Sequence, residues 1–252
     1  MTCTADETMR GQTIVVIGAG SGIGAGVARY LADRQIGVVC ADKDLDAADS
    51  TAEDAGPLAY SCFADVTEER TLHHAVDEIT TKSGQIHGLI NCAGVQGPLG
   101  RRSHEVTLGE FDQTYQVNLR GALALTRCFI PHMLTHQYGR IAFVASIAGK
   151  EGNPNMIGYS ATKAGLIGMV KALGKEYVRD GITINALAPS VIQTPFIESQ
   201  PPNILSYMTD KIPMGRPGTI KEAAQMLGWM VSPACSFTTG AVFDLSGGRA
   251  TY

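Results

Sequence analysis

The sequence predicts an α/β chain built on a doubly wound, mostly parallel sheet of about seven strands with helices on both faces, in one domain over residues 1–252. Three observations carry this. Short β-branched apolar runs alternate with longer stretches of helical period. The runs are apolar at nearly every position, as strands covered on both faces are. No Pro/Gly/Ser-rich linker or composition shift divides the chain.

In chain order, the predicted strands are 13–17, 37–41, 59–63, 88–91, 140–145, 183–187 and 241–245. Ile14-Val15-Val16-Ile17 and Ile141-Ala142-Phe143-Val144 show the uniform apolar character most plainly. Amphipathic or apolar helices are predicted over 25–34, from near Thr67, over about 110–133 and over 159–177. Residues 1–10 contain Asp6 and Glu7 and no apolar run, and read as a short flexible segment. Residues 196–213, with Pro201-Pro202 inside, form the one long insertion between sheet elements and read as a substrate lid.

A hydrophobic content of 44% against 17% charged residues suits a sizeable core and leaves little for disordered tails. The net charge of -4 is spread without blocks, so nucleic acid and membrane are not expected partners. No stretch reaches membrane-spanning length free of Gly or charge, and a cytoplasmic location is the expectation. Cys3, Cys40, Cys62, Cys92, Cys128 and Cys235 form no C-x-x-C pair and are expected to be reduced. His132 and His136 stand four apart without a third ligand, so no metal is expected.

Sheets of this kind bind ligands beyond the carboxyl ends of their strands. After the first strand comes Gly18-Ala19-Gly20-Ser21-Gly22-Ile23-Gly24, opening a helix. Glycines there permit a tight turn and close backbone approach, and amides at the helix start can hold a pyrophosphate. Asp42 ends the second strand eighteen residues beyond Gly24, where a carboxylate accepts from an adenosine ribose and repels a 2′-phosphate. NAD is therefore the expected cofactor, with Lys43 as the one nearby cation. Asp65 and Val66 are placed either to meet the adenine or, for Asp65, to cap the helix near Thr67.

Tyr159 and Lys163 stand at i and i+4, a phenol and an ammonium on one helical face. A phenol ionises near about pH 10, so it serves as a base at neutral pH only beside a cation, which Lys163 supplies. Ser146 emerges from the strand thirteen residues before Tyr159, and Asn118 is a polar residue inside an apolar helix, where its plain reading is a helix–helix hydrogen bond.

With Asn91-Cys92-Ala93-Gly94 and Asn185-x-x-x-Pro189 added, the chain resembles the short-chain dehydrogenases/reductases over nearly its whole length. The resemblance implies a Rossmann-type fold and an oxidoreductase. Tyr159 would be the general acid/base, Lys163 would lower its pKa and bind the nicotinamide ribose, Ser146 would position the substrate, and Asn118 would hold a water for proton relay. Asn91, Ala93 and Gly94 would form the cofactor floor, and Pro189, Val191, Ile192 and Thr194 would approach the nicotinamide amide. Two positions depart from the family pattern: Ile17 stands where threonine is usual, and Ser190 where glycine is usual. The resemblance also implies a homotetramer built through the 110–133 and 159–177 helices and the carboxyl-terminal strand.

The segment after Ser146, Ile147 to Asn155, is polar for a substrate border and suits a polyhydroxylated or anionic small molecule. With the ending Asp244 to Tyr252 it resembles the branch that oxidises sugars and 2-keto-3-deoxy sugar acids such as L-rhamnonate or L-fuconate derivatives. Gln96, Arg101, Arg102, Ser146, Lys150, Asn155 and Arg249 are the candidate substrate partners. Two alternatives stand beside this reading: a 3-oxoacyl-thioester reductase, and a non-catalytic NAD-sensing scaffold.

Overall fold

Seven strands hydrogen-bond in parallel in a computed structural model that describes residues 8–199, 206, 208–250 and 252. β1 (Thr13–Ile17) leads into α1 (Gly22–Ala32), then β2 (Gly37–Asp42), α2 (Leu45–Ala55), β3 (Ala59–Phe63), α3 (Glu69–Ser83) and β4 (Gly88–Asn91). α4 (Leu108–Tyr115), a π-turn (Gln116–Arg120) and α5 (Gly121–His136) precede β5 (Gly139–Val144), α6 (Ala148–Glu151), α7 (Ile157–Tyr177) and β6 (Ile182–Pro189). The chain ends with β7 (Ile192–Gln193), α8 (Pro195–Glu198), β8 (Gly218–Thr219), α9 (Ile220–Met230) and β9 (Val242–Leu245).

The sheet order is β3-β2-β1-β4-β5-β6-β9, so the chain winds outward in one direction from β1 and in the other from β4. Where those directions part, the loops after β1 and β4 splay and leave a crevice. β1 is buried throughout because its alternate side chains feed two cores. Val15 and Ile17 pack with Leu125, Phe129 and Met133 of α5 and Leu166 of α7. Ile14 and Val16 pack with Val27 and Leu31 of α1 and Leu227 of α9.

All seven main strands fall within two residues of their predicted bounds. The β7–β8 pair, two residues each, was not foreseen, and the expected 110–133 helix runs on through a π-turn at Gln116–Arg120. The flexible reading of residues 1–10 is corrected at Met9, which is 2% exposed and packs in the core beside Ile14; residues 1–7 lie outside the described residues. Of the expected lid, 200–205 and 207 lie outside the described residues too. Its first part forms α8, with the Thr194 hydroxyl accepting from the Ile197 amide.

Candidate active site

The glycine turn is shaped by contacts no side chain would allow. Gly18 has φ +76°, and a Cβ there would stand 2.7 Å from the Ala93 nitrogen; one on Gly24 would stand 2.0 Å from the Gly18 carbonyl oxygen. The amides of Gly18 and Ala19 donate to the Ala41 carbonyl at 2.8 and 3.1 Å, fastening the turn to β2. Ser21, the N-cap of α1, makes no capping bond with its side chain. The helix therefore presents its first amides and its positive dipole end toward the cleft beside it.

That cleft has a volume of about 450 Å³ and runs from Asp42 and Lys43 past Gly18, Ser21, Gly22, Ile23 and Gly24 to Ala93 and Gly94, with Asp65 and Val66 along its side. The Asp42 carboxylate is fixed by two backbone donors, the Gly20 amide at 2.9 Å and the Asp44 amide at 3.0 Å. Each oxygen keeps a second acceptor site, and an ionised carboxylate offers no donor. A ribose diol matches this environment, and a 2′-phosphate would be repelled by it. A dinucleotide thus fits the residues present, held by the glycine turn at its pyrophosphate and by Asp42 at its ribose.

Two expected cofactor contacts, Gly20 and Asn91, are corrected in role, and a third, Asp65, stands on the cleft as expected. Gly20 does not line the cleft: its amide is spent on Asp42. Asn91 is buried and also lies off the cleft, its side-chain oxygen accepting from the Ala93 amide at 3.1 Å to shape the floor from beneath. Asp65 lines the cleft, but one carboxylate oxygen is engaged by the Thr67 amide and hydroxyl at 2.8 and 2.7 Å. α3 starts at Glu69, so Asp65 organises the approach to that helix and does not cap it.

Ile23, Cys92, Gly94, Val95 and Thr194 border both this cleft and a second one of about 320 Å³, making the two continuous. Ser146, Tyr159 and Lys163 converge on the second cleft, with Pro189, Val191 and Ile192 along the wall. Ser146 is placed by the end of β5, and its hydroxyl also accepts from the Ala148 amide at 3.1 Å. Lys163, one helical turn along α7 from Tyr159, donates to the Val144 carbonyl at 2.7 Å. Burial drives the Lys163 ammonium down to about 8, with the Cys92 thiol beside it pulling the other way. Burial raises the Tyr159 phenol above its ordinary value, and its hydrogen bond with Ser146 lowers it. Burial moves the two proton affinities apart, the phenol upward and the ammonium downward, and the phenol bonded to the Ser146 hydroxyl is placed to take a proton from an alcohol or return it to a ketone.

Asn118 makes the helix–helix hydrogen bond of its plain reading, to Thr162 of α7. Its side-chain oxygen accepts from the Val95 amide at 2.8 Å while its nitrogen donates to the Val95 carbonyl at 2.8 Å and to the Thr162 hydroxyl at 3.1 Å. It stands in the π-turn, and it ties the loop after β4 to α7, holding the cleft wall at Val95.

Of the candidate substrate partners, Gln96, Ser146 and Arg249 line the second cleft. Arg101, Arg102, Lys150 and Asn155 do not. Arg101 pairs with Glu110, and the Arg102 amide donates to Glu105 at 2.7 Å. Lys150 is held by Asp244 at 2.8 Å, and Asn155 adopts φ +61° with its carbonyl accepting from Gly100. Charge drew attention to the three cations, and two of them, Arg101 and Lys150, are neutralised by an acid beside them. Asn153, Met156, Met208 and Lys211 border the cleft and were not singled out. Asn153 lies in the polar segment flagged after Ser146, and Met208 and Lys211 lie in the 196–213 insertion read as a substrate lid.

The five described cysteines, Cys40, Cys62, Cys92, Cys128 and Cys235, are free thiols. Among the described residues no helix is long and apolar enough to cross a membrane.

Residues 18–250 match a family model described as enoyl-(acyl carrier protein) reductase. The chain is 38% identical over 245 residues to a 2-dehydro-3-deoxy-L-rhamnonate dehydrogenase (NAD(+)) of Sphingomonas sp. strain SKA58, covering 96% of each chain. It is 32% identical to a 3-oxoacyl-(acyl-carrier-protein) reductase FabG of Thermotoga maritima, over 95% of this chain and 98% of the relative. The solved structure of gox2181 superposes with a TM-score of 0.92 at 26% identity, covering 97% of this chain and 98% of that one.

Proposed function

Because the chain belongs to the short-chain dehydrogenase/reductase family, whose members act on CH–OH groups with NAD or NADP, we propose that it interconverts a secondary alcohol and a ketone with NAD on a sugar-derived polyhydroxy acid, such as a 2-keto-3-deoxy-L-sugar acid. The convergence of Ser146, Tyr159 and Lys163 on the second cleft, which is continuous with the dinucleotide cleft, carries the reaction class. Asp42 at the far end of the dinucleotide cleft supports NAD. The polar groups on the second cleft, Gln96, Asn153 and Lys211, support a hydroxylated anion, as does the rhamnonate-type relative.

In the oxidative direction, Ser146 hydrogen-bonds the substrate oxygen and Tyr159 accepts its proton. Lys163 stabilises the phenolate by its charge and remains anchored on the Val144 carbonyl. A bound nicotinamide supplies the hydride acceptor. Asn118 and Val95 keep the wall opposite Tyr159 in place. A homotetramer formed through α5, α7 and β9 is part of the proposal, and sedimentation of a monomer at working concentration would refute that part.

The test is NADH formation by wild type and Tyr159→Phe on 2-keto-3-deoxy sugar acids, aldoses, 3-hydroxyacyl thioesters and simple secondary alcohols, repeated with NADP. Turnover of a sugar acid with NAD, abolished in Tyr159→Phe, supports the proposal. The second reading, a 3-oxoacyl-thioester reductase, is favoured by Met156, Ile197 and Met208 on the cleft wall and by the 32% identical relative. Thioester turnover without sugar-acid turnover would select it. Activity unchanged in Tyr159→Phe would point instead to the scaffold reading.

A further inference from the structure

The carboxyl-terminal tail lies across the segment that follows Ser146. Arg249 places Nε and Nη2 on one carboxylate oxygen of Glu151, at 3.0 and 2.7 Å. The same Nη2 donates to the Asn153 side-chain oxygen at 3.1 Å. Tyr252 donates its hydroxyl to the Lys150 carbonyl at 2.6 Å, and Lys150 in turn holds Asp244. The Arg249 side chain is only 11% exposed, so this is an enclosed set of bonds, and its charge is already matched by Glu151. That makes Arg249 a poor reader of a substrate carboxylate, despite its place on the cleft.

Arginine has donors only, so the Asn153 atom facing it must be the carbonyl oxygen. This fixes the amide and leaves its nitrogen on the other side, where its one contact is the soft Met156 sulfur at 3.9 Å. The Asn153 backbone is separately pinned, its amide donating to the Ser160 hydroxyl at 3.0 Å, one residue from Tyr159. Asn153, held at its side-chain oxygen and its backbone amide, lines the catalytic cleft.

From this geometry we infer that Asn153 is a specificity-determining residue whose amide nitrogen donates to an acceptor oxygen of the substrate remote from the reacting carbon, and that Arg249, locked by Glu151, is the positioning residue that sets its orientation. The acceptor class is a carboxylate or hydroxyl. The inference rests on the proposed reaction class, and it deepens the sugar-acid reading without requiring it.

The experiment measures kcat and KM with NAD for wild type, Asn153→Ala, Asn153→Asp, Arg249→Met, Arg249→Lys and the Asn153→Ala/Arg249→Met double variant, with melting curves on each. Absence of sugar-acid turnover in wild type overturns the substrate reading alone. The comparison is then made on whichever aldose or hydroxyacyl thioester is turned over, since each carries a second oxygen. Expected is a roughly tenfold or larger rise in KM for Asn153→Ala with a smaller effect on kcat, the scale of one lost hydrogen bond to a polar or charged group. Asn153→Asp raises KM further for an anion than for a neutral aldose. Arg249→Met raises KM in the same direction, Arg249→Lys recovers part of the loss, and the double variant is no worse than Asn153→Ala. KM unchanged in folded Asn153→Ala, or additive losses in the double variant, would overturn the inference.

Discussion

The Lys163 ammonium lies 5.7 Å from the centre of the Tyr159 ring and is held there by the Val144 carbonyl, in surroundings that disfavour its own charge. Its proton affinity falls to about 8 on folding, from about 10.4 in an unfolded chain. Between those values the unfolded chain binds the extra proton, so stability rises with pH through that window and the full penalty applies below about pH 8. The penalty is on the order of 3 kcal/mol, against about 2 kcal/mol from the charge-assisted bond to the Val144 carbonyl. Lys163→Met should therefore melt about 3 °C higher than wild type at neutral pH while losing at least a hundredfold in kcat. A lower melting temperature would contradict this.

Asp42 braces Gly20, and in the proposed function it also accepts from the ribose. Asp42→Ala should raise the KM for NAD at least tenfold and lower that for NADP, as the repulsion of a 2′-phosphate is removed. Steady-state kinetics with both cofactors decide it; a variant that loses both equally would show that the brace, rather than the charge, dominates.

Two histidines beneath the sheet serve as acceptors for backbone amides. His87 Nδ1 accepts from Thr13 and His132 Nε2 from Ile86, each at 3.1 Å. Burial lowers both imidazoles, with His136 adding to the effect. A depressed affinity means their contribution is complete above about pH 6.5, the unfolded value, and fades as pH falls through the folded values. The melting temperature should drop steeply below about pH 6, and less steeply in His132→Gln, whose amide oxygen accepts without titrating. Equal acid sensitivity in the two proteins would exclude His132 as the source.

Gly24→Ala should destabilise by more than about 3 kcal/mol, seen as a fall of roughly 10 °C in melting temperature, because the new methyl would meet the Gly18 carbonyl oxygen at 2.0 Å. Dinucleotide binding, followed by fluorescence or calorimetry, should weaken with it. Gly168→Ala, in the middle of α7 with open space around its Cβ, is the control and should be neutral or stabilising.

Much of this architecture is written locally. β1 declares itself by five consecutive β-branched residues, the glycine turn by its position between β1 and α1, and Tyr159 and Lys163 by a spacing that puts them on one side of a helix. What escaped are relations across the chain. Arg249 meets Glu151 from 98 positions away, and Lys150 meets Asp244 from 94. Nothing near Arg101 or Lys150 states that an acid will neutralise it, so a charge beside a catalytic serine reads as a ligand contact. Asn118 was visible as an anomaly, but only the fold shows that its partner is the backbone of Val95.

The π-turn at Gln116–Arg120 also bears on how this chain is compared with others. Such a turn adds one residue to a helix and so advances everything after it by roughly 100° about the axis. In α5, Leu125, Phe129 and Met133 reach the core in that advanced phase, whereas α4 buries only Thr114. Removing one residue between Tyr115 and Gly121 would turn Leu125, Phe129 and Met133 away from β1 or pull Asn118 off Val95. A gap of one at this place in an alignment therefore describes a rotated helix face, where the same gap in a surface loop would describe a shorter connection.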